Sequence, residues 1–177
     1  VAGVEGQQAD AGGGRNAVGQ AEGQVLAQAH QQQEEDAQRT AHQRKHTMTD
    51  SPRSLNVSGA GHNAPIPLGA RVGPLICSSG ISGKDPATGL LPTDATTQVR
   101  LAFANMDALL AAGGATLAHV AKLHITVHDN AVRDAINTEW LARFPDPQDR
   151  PARHIVQHAL QHGMALQIEV TAFVTSA

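Results

Sequence analysis

The sequence predicts an α/β domain in which two helices cover one face of a mixed β-sheet, with the element order β-β-α-β-α-β-β. Residues 94–113 and 131–144 carry apolar side chains at three- and four-residue spacing, which is typical of helices with one buried face. Residues 119–129 and 164–174 alternate apolar with polar side chains, as half-buried strands do. Short apolar runs bounded by Gly and Pro complete the pattern near residues 70–80.

The first half of the domain opens with two short strands, Ala70–Gly73 and Leu75–Gly80, which a Gly-Pro turn connects. A loop of turn-forming residues, Gly83–Gly89, follows them. Asp94 is the predicted N-cap of the first helix, and Gly113-Gly114 is its predicted end. The apolar stripe predicted to face the core consists of Val99, Ala102, Phe103, Met106, Leu109 and Leu110.

The second half begins with a strand, His119–Asp129, and continues into a helix from Ala131 to Phe144 that the prolines after it terminate. Two strands, Ala152–His158 and Met164–Val174, complete the domain. The side chains predicted to face the core are Ala121, Leu123, Ile125 and Val127, then Val132, Ile136 and Trp140, then Met164, Leu166, Ile168, Val170, Ala172 and Val174. Because both helices lie on one face, the other face of the sheet is expected to be covered by further copies of the chain.

The N-terminal part of the 177-residue chain has a different composition. Residues 1–47 are rich in Gly, Ala, Gln and His and offer few side chains for a core, although a weak helix over Ala17–Ala41 suits this composition. Residues 1–61 are therefore predicted to be a disordered or weakly helical tail, and residues 62–177 the folded domain. Met48 resembles an ordinary protein start, so residues 1–47 are expected to be upstream sequence without a function. A flexible regulatory tail is the alternative interpretation.

The overall composition excludes several classes of function. The chain has 13 Lys and Arg against 16 Asp and Glu, so it lacks the positive charge that nucleic-acid binding needs. With one Trp, three Phe and no Tyr, it also lacks stacking surfaces for single-stranded RNA. No apolar run is long enough to cross a bilayer, and the single cysteine, Cys77, fits a reducing compartment. We therefore expect a cytoplasmic protein with neither nucleic-acid nor membrane partners.

Two candidate chemistries fail on local grounds. His154 and His158 have helical spacing but lie in a predicted strand, where four residues span roughly 13 Å, too far for two ligands of one metal ion. We therefore predict no metal site. Cys77 lies in an apolar strand without a neighbouring basic residue, so it is expected to be a buried packing residue and not a nucleophile.

Arg153 and Glu169 are the strongest candidates for chemistry. Arg153 begins a predicted strand, where its guanidinium could bind a carboxylate through two parallel hydrogen bonds. Glu169 lies on the polar face of the last strand and could hold or deprotonate a water molecule. Gly80, at a strand end, leaves nearby backbone amides open to a ligand. A simple ion pair between adjacent strands is the alternative interpretation.

Several of these segments resemble one known family. They are Ser78-Ser79-Gly80 after a strand, Ala111 to Ala115 followed by His119 to Lys122, Asn137 in the second helix, Arg150-Pro151-Ala152-Arg153, and Gly163 with Ile168-Glu169-Val170. In order and spacing they are similar to the RidA (YjgF) family of imine and enamine deaminases, over residues 65–174.

The resemblance implies a chorismate-mutase-like fold of the bacillus type, assembled as a homotrimer with sites between subunits and no cofactor. By resemblance, Arg153 binds the substrate carboxylate and Glu169 positions the hydrolytic water. Backbone groups near Gly80 and Ile81, together with Asn137, hold the ligand. The reaction would be hydrolytic deamination of a carboxylate-bearing imine or enamine, with release of ammonia.

The sequence departs from the family pattern at two positions. Ile66 stands where the family has a tyrosine, and His154 follows Arg153 where small residues are common, so both are expected to reshape the substrate pocket. This leaves open an enamine of the aminomuconate type, from aromatic ring cleavage, as the substrate. A non-catalytic ligand-binding or holdase trimer is a further alternative. Endoribonuclease activity, a label that some family members carry, is disfavoured by the acidic charge balance and the few aromatic residues.

Overall fold

A computed structural model describes residue 3, residues 30–38 and residues 52–175 of the chain. The chain divides into two compact units, Val1–Ser51 and Pro52–Ala177. In the first unit, residues 30–38 form an exposed helix, α1, and the remainder of the predicted tail up to residue 51, apart from residue 3, lies outside the described residues. The second unit begins at Pro52, ahead of the domain boundary expected at residue 62.

The second unit is built on one mixed sheet with the strand order β1-β2-β3-β7-β5-β6, in which β4 also pairs with β7. Only β5 and β6 run parallel, and the other pairs are antiparallel. The strands are β1 Ser54–Leu55, β2 Gly69–Val72, β3 Leu75–Ser78, β4 Ile81–Ser82, β5 Val120–Val127, β6 Ala152–Gln157 and β7 Leu166–Phe173. Two helices, α2 (Ala95–Ala112) and α3 (Arg133–Arg143), pack on one face, which confirms the predicted fold class. Among the described residues, no helix has the length and apolar character that crossing a bilayer requires.

Helix α2 has the predicted ends and the predicted buried stripe. The backbone N–H of Thr97 donates to Asp94 Oδ2 at 2.7 Å, which caps the helix. Gly114 follows the last turn with φ of 70°, a left-handed conformation that suits glycine. The six apolar residues predicted to face the core are at most 1% exposed. The three- and four-residue spacing therefore located the core side of the helix correctly.

Two polar residues share this buried face of α2, Gln98 and Asn105, which are 2% and 1% exposed. Asn105 Nδ2 donates to the backbone oxygens of Ser82 and Lys84 at 3.0 and 2.9 Å. Gln98 Nε2 donates to the backbone oxygen of Gly163 at 3.1 Å. Because unpaired buried amides are costly, both side chains hold the loops after β4 and before β7 in fixed positions.

The structure differs from the sequence-based expectations at three points. Ala121 is exposed and Val120 is buried, because the register of β5 against β7 shifts between Val120 and Lys122, as at a β-bulge. Cys77 is exposed, whereas it was expected to be buried, because Ile76 takes the inward position in β3. Strands β1 and β4 were not predicted, since two-residue strands carry no periodicity.

The sheet face opposite the helices, here called the open face, has no cover among the described residues. Val72, Leu75 and Phe173 are register neighbours on β2, β3 and β7 and are 63%, 41% and 52% exposed. Three large apolar side chains in one row form an exposed patch of the kind that association commonly covers.

Candidate active site

Arg153 lies on β6 with its side chain directed toward helix α3. Its Nη2 donates to Asn137 Oδ1 at 2.9 Å, and its guanidinium carbon lies 4.6 Å from the centre of the Trp140 ring. Asn137 and Trp140 are three residues apart and therefore lie on one side of α3. The stacking and the hydrogen bond together fix the plane of the guanidinium. The structure thus brings two predicted site residues, Arg153 and Asn137, into contact.

The charge of Arg153 is not balanced within the described part of the chain. Its Nη1 is enclosed and has no hydrogen-bond partner there. Burial, together with the nearby positive charges of Arg133 and Arg150, lowers the pKa of the Arg153 guanidinium. An arginine nevertheless keeps its proton at neutral pH, so an enclosed cationic donor is left available. A ligand carboxylate is the group that best fits this donor.

Glu169 lies on the open face, in a row with two histidines. His154 on β6, His124 on β5 and Glu169 on β7 are register neighbours. The rings of His154 and His124 stack with centroids 5.4 Å apart, and His124 Nδ1 lies 3.8 Å from Glu169 Oε2. His124 Nε2 is enclosed without a partner among the described residues. The row therefore places the partly exposed carboxylate of Glu169 beside the imidazole of His124, a type of group that can accept and donate protons.

Within one chain, Arg153 and Glu169 do not meet. Strand β5 separates their strands, and the register partner of Arg153 is the buried Leu123, whereas the partner of Glu169 is His124 on the open face. No ion pair among the described residues joins Arg153 to Glu169. The interpretation of these two residues as an ion pair between adjacent strands is therefore wrong.

Gly80 lies at an irregularity opposite Glu169. Cys77 pairs with Thr171 and Ile81 pairs with Ile168, so the connection between β3 and β4 contains one residue more than the facing segment of β7. This is the pattern of a β-bulge. A Cβ at Gly80 would come within 3.0 Å of the Gln167 side chain, closer than such contacts normally are. A side chain at this position would therefore require the flexible end of Gln167 to shift by a few tenths of an ångström.

The remaining predicted residues occupy different surroundings. The Ile81 side chain is fully buried in the core, so only its backbone is available to a ligand. Ile66 is 49% exposed, in the segment that leads into β2. His154 is exposed on the open face, so it and Arg153, although adjacent, serve opposite faces of the sheet.

Sequence reasoning missed the roles of Trp140 and His124. Trp140 was assigned to the core, which is correct for its burial, but its ring also supports the Arg153 guanidinium. His124 was not among the predicted site residues. Its position on the polar face of a strand would have indicated that it lies beside Glu169, if the order of the strands had been known. Among the described residues, no group of three His, Cys, Asp or Glu side chains is arranged to hold a metal ion.

Comparison with known proteins agrees with this fold. A family model described as "Endoribonuclease L-PSP" matches residues 66–174, more than half of the chain. The chain therefore belongs to this family, which is also the RidA/YjgF family. The chain is thus a small α/β protein of a family that includes reactive intermediate deaminases.

The individual relatives share moderate sequence identity with this chain, and the matches cover nearly the whole length of each relative. The chain is 32% identical to a 2-iminobutanoate/2-iminopropanoate deaminase of Escherichia coli, over 64% of this chain and 94% of the relative. It is 32% identical to a RutC family protein of Haemophilus influenzae, over 62% and 90%. The solved structure of E. coli TdcF with bound serine has 28% identity and a TM-score of 0.63, and covers 69% of this chain and 98% of TdcF. RidA of an Antarctic Psychrobacter has 27% identity and a TM-score of 0.63, over 68% and 98%.

Proposed function

We propose that this protein hydrolyses reactive imines or enamines that carry a carboxylate, and releases ammonia. The observation that carries the proposal is the enclosed, unpartnered Nη1 of Arg153, on a guanidinium that Trp140 and Asn137 hold in place. A cation that is kept without a counter-ion, at a cost in stability, suits the binding of an anionic ligand. The similarity to a deaminase of 2-iminobutanoate and 2-iminopropanoate supports the same substrate class.

In the proposed catalytic step, Glu169 is the base. Water adds to the C=N carbon, and Glu169 accepts the proton that the water loses. Glu169 returns this proton to the nitrogen, and the nitrogen takes the proton of the added hydroxyl as the carbonyl forms and ammonia leaves. His124, with Nδ1 3.8 Å from Glu169 Oε2, lies beside this carboxylate and orients it. Arg153 holds the carboxylate of the substrate, and this orientation lowers the barrier for a bond that is already labile. No cofactor takes part.

We further propose that two copies of the chain form each site, within a homotrimer. Arg153 projects on the helix side of the sheet and Glu169 on the open face, so one copy alone does not present both groups to one ligand. The exposed apolar row of Val72, Leu75 and Phe173 supplies a surface for association. The exposed thiol of Cys77 suits a reducing location such as the cytoplasm.

The test is ammonia release from imines generated in place. An amino-acid oxidase with catalase converts alanine and 2-aminobutanoate into the corresponding 2-imino acids, and an aminomuconate-type enamine extends the panel to ring-cleavage products. Semicarbazide traps the imine that remains, so the protein should lower the yield of trapped imine and accelerate ammonia release. If the protein binds a carboxylate analogue but accelerates no substrate of the panel, it is a ligand-binding protein and the proposal is wrong.

A further inference from the structure

A cavity lies beside the Gly80 segment, and the proposed function does not use it. Its volume is about 280 Å³, and it is bounded by the segment before β2, by β4 and by the loop that precedes β7. Its polar lining residues are His62, Asn63, Ser82, Lys84, His162 and Gln167. Drug-sized ligands occupy larger sites, of roughly 300–1,000 Å³, so this cavity suits one arm of a small molecule.

Lys84 brings a positive charge to this cavity. Its Nζ donates to the backbone oxygen of Gly61 at 2.9 Å, and an ammonium has three hydrogens to donate. None of the ion pairs among the described residues includes Lys84. Asn105 holds the Lys84 backbone oxygen at 2.9 Å, so helix α2 fixes the position of this residue. The ammonium therefore remains available to an anion in the cavity.

His62 supplies a second group with unused bonding capacity. Its Nε2 is enclosed and has no partner in the described part of the chain. Burial and the positive charge of Lys84 lower the pKa of His62, so its imidazole is neutral at neutral pH. A neutral imidazole has one N–H donor, which the Nε2 tautomer would present to an acceptor. An enclosed nitrogen without a partner is unfavourable, and a ligand oxygen would supply that partner.

The cavity and Glu169 are close enough to serve one molecule. Gln167 lines the cavity, and its side chain lies on the same face of β7 as Glu169. Side chains two residues apart on a strand are separated by about 7 Å. The Gln167 side chain also lies against Gly80, which faces the Glu169 segment. A substrate whose reacting carbon lies beside Glu169 can therefore extend an arm of a few carbon atoms into the cavity.

We propose that His62 and Lys84 form a subsite for a second carboxylate, so that the preferred substrates are imines of acidic amino acids. This inference rests on the proposed function. In a dicarboxylate such as 2-iminoglutarate, the carboxylate next to the imine is held by Arg153 of a second copy, as in the proposed shared site. The distal carboxylate enters the cavity and accepts hydrogen bonds from Lys84 Nζ and His62 Nε2. A substrate with a methyl or ethyl arm makes neither contact.

The experiment compares two substrates in matched variants. Glutamate oxidase supplies 2-iminoglutarate, and an amino-acid oxidase supplies 2-iminobutanoate. Lys84→Met should lower kcat/KM for 2-iminoglutarate about 10- to 100-fold, which is the range for one lost charge-assisted hydrogen bond. It should change kcat/KM for 2-iminobutanoate less than about twofold, because that substrate does not reach the cavity. Lys84→Arg should retain most of the preference, and Arg100→Met removes an exposed charge elsewhere as the control.

A binding measurement separates this inference from the proposed function. Calorimetry with glutarate should show binding to the wild type, and Lys84→Met should weaken it to the level of butanoate. If no imine is hydrolysed but glutarate binds in a Lys84-dependent way, the deaminase proposal fails and the subsite stands. If glutarate binds no better than butanoate, or if Lys84→Met affects both imines equally, the subsite is wrong.

Discussion

Replacement of Arg153 by alanine should abolish deamination while leaving the fold and the assembly intact. In the described part of the chain, the Arg153 guanidinium stacks on the ring of Trp140 and donates a hydrogen bond to the amide oxygen of Asn137. It makes no ion pair with a described carboxylate. Its side chain therefore contributes little to folding, and its charge is available for a ligand.

The expected change in stability is small because opposing contributions nearly cancel. Loss of the cation–π contact costs about 1 kcal/mol at a partly exposed site. Loss of the hydrogen bond to Asn137 costs about another 1 kcal/mol. Removal of the enclosed, unpartnered Nη1 returns about 1–3 kcal/mol, and it also ends the repulsion from Arg133 and Arg150. The free energy of unfolding should therefore change by no more than about 1 kcal/mol.

The expected change in activity is much larger. Two hydrogen bonds from a guanidinium to a carboxylate are worth about 1.5–3 kcal/mol each, or about 3–6 kcal/mol together. Their loss lowers kcat/KM by roughly 10²- to 10⁴-fold, since 1.4 kcal/mol is a factor of ten. Arg153→Lys should recover only part of this loss, because an ammonium cannot reproduce two parallel hydrogen bonds.

The assay combines urea unfolding, light scattering and ammonia release on one set of variants. Arg100→Ala is the control, since it removes the same charge from an exposed position on α2. It should match the wild type in all three measurements. If Arg153→Ala unfolds the protein or dissociates it, the arginine is structural. If the variant keeps normal kcat/KM, the assignment of Arg153 to the substrate carboxylate is refuted.

Four further outcomes are expected. Glu169→Gln should bind a non-hydrolysable carboxylate normally but lose turnover, because an amide is a poor base; normal turnover would remove Glu169 from the reaction. Light scattering should show a trimer, and Phe173→Glu should dissociate it by placing a charge in the apolar row; a wild-type monomer at micromolar concentration would contradict both the assembly and the shared site. Deletion of residues 1–47 should leave the melting temperature and assembly unchanged, and a clear loss of either would give the tail a structural role. Arg143→Ala should lower the free energy of unfolding by about 2 kcal/mol in urea, since its partly buried guanidinium pairs with Asp107 on α2 and with Glu139 on its own helix; an unchanged midpoint would show that this network contributes nothing.

Much of the fold follows from short-range patterns. The stripe that includes Val99 and Leu110 identified the buried side of α2, and Asp94 and Gly113 marked its ends. The alternation along residues 166–173 assigned Glu169 to the open face. These features depend on the three- or four-residue repeat of a helix and the two-residue repeat of a strand, which any window of the sequence displays. The sequence pattern did not reveal the bulge that turns the Ala121 side chain outward, because an extra residue in a strand does not interrupt the run of apolar residues.

The sequence by itself determined the class of fold, the faces of its helices and strands, and the residue types that suit a carboxylate ligand and a hydrolytic water. Only the tertiary structure decided how these residues combine. Strand β5 lies between β6 and β7, so His124 becomes the neighbour of Glu169 while Arg153 faces α3. The cavity at Lys84 likewise joins segments that are far apart in the chain. Strand order and register arise from pairing between distant segments, and no local repeat in the sequence records them.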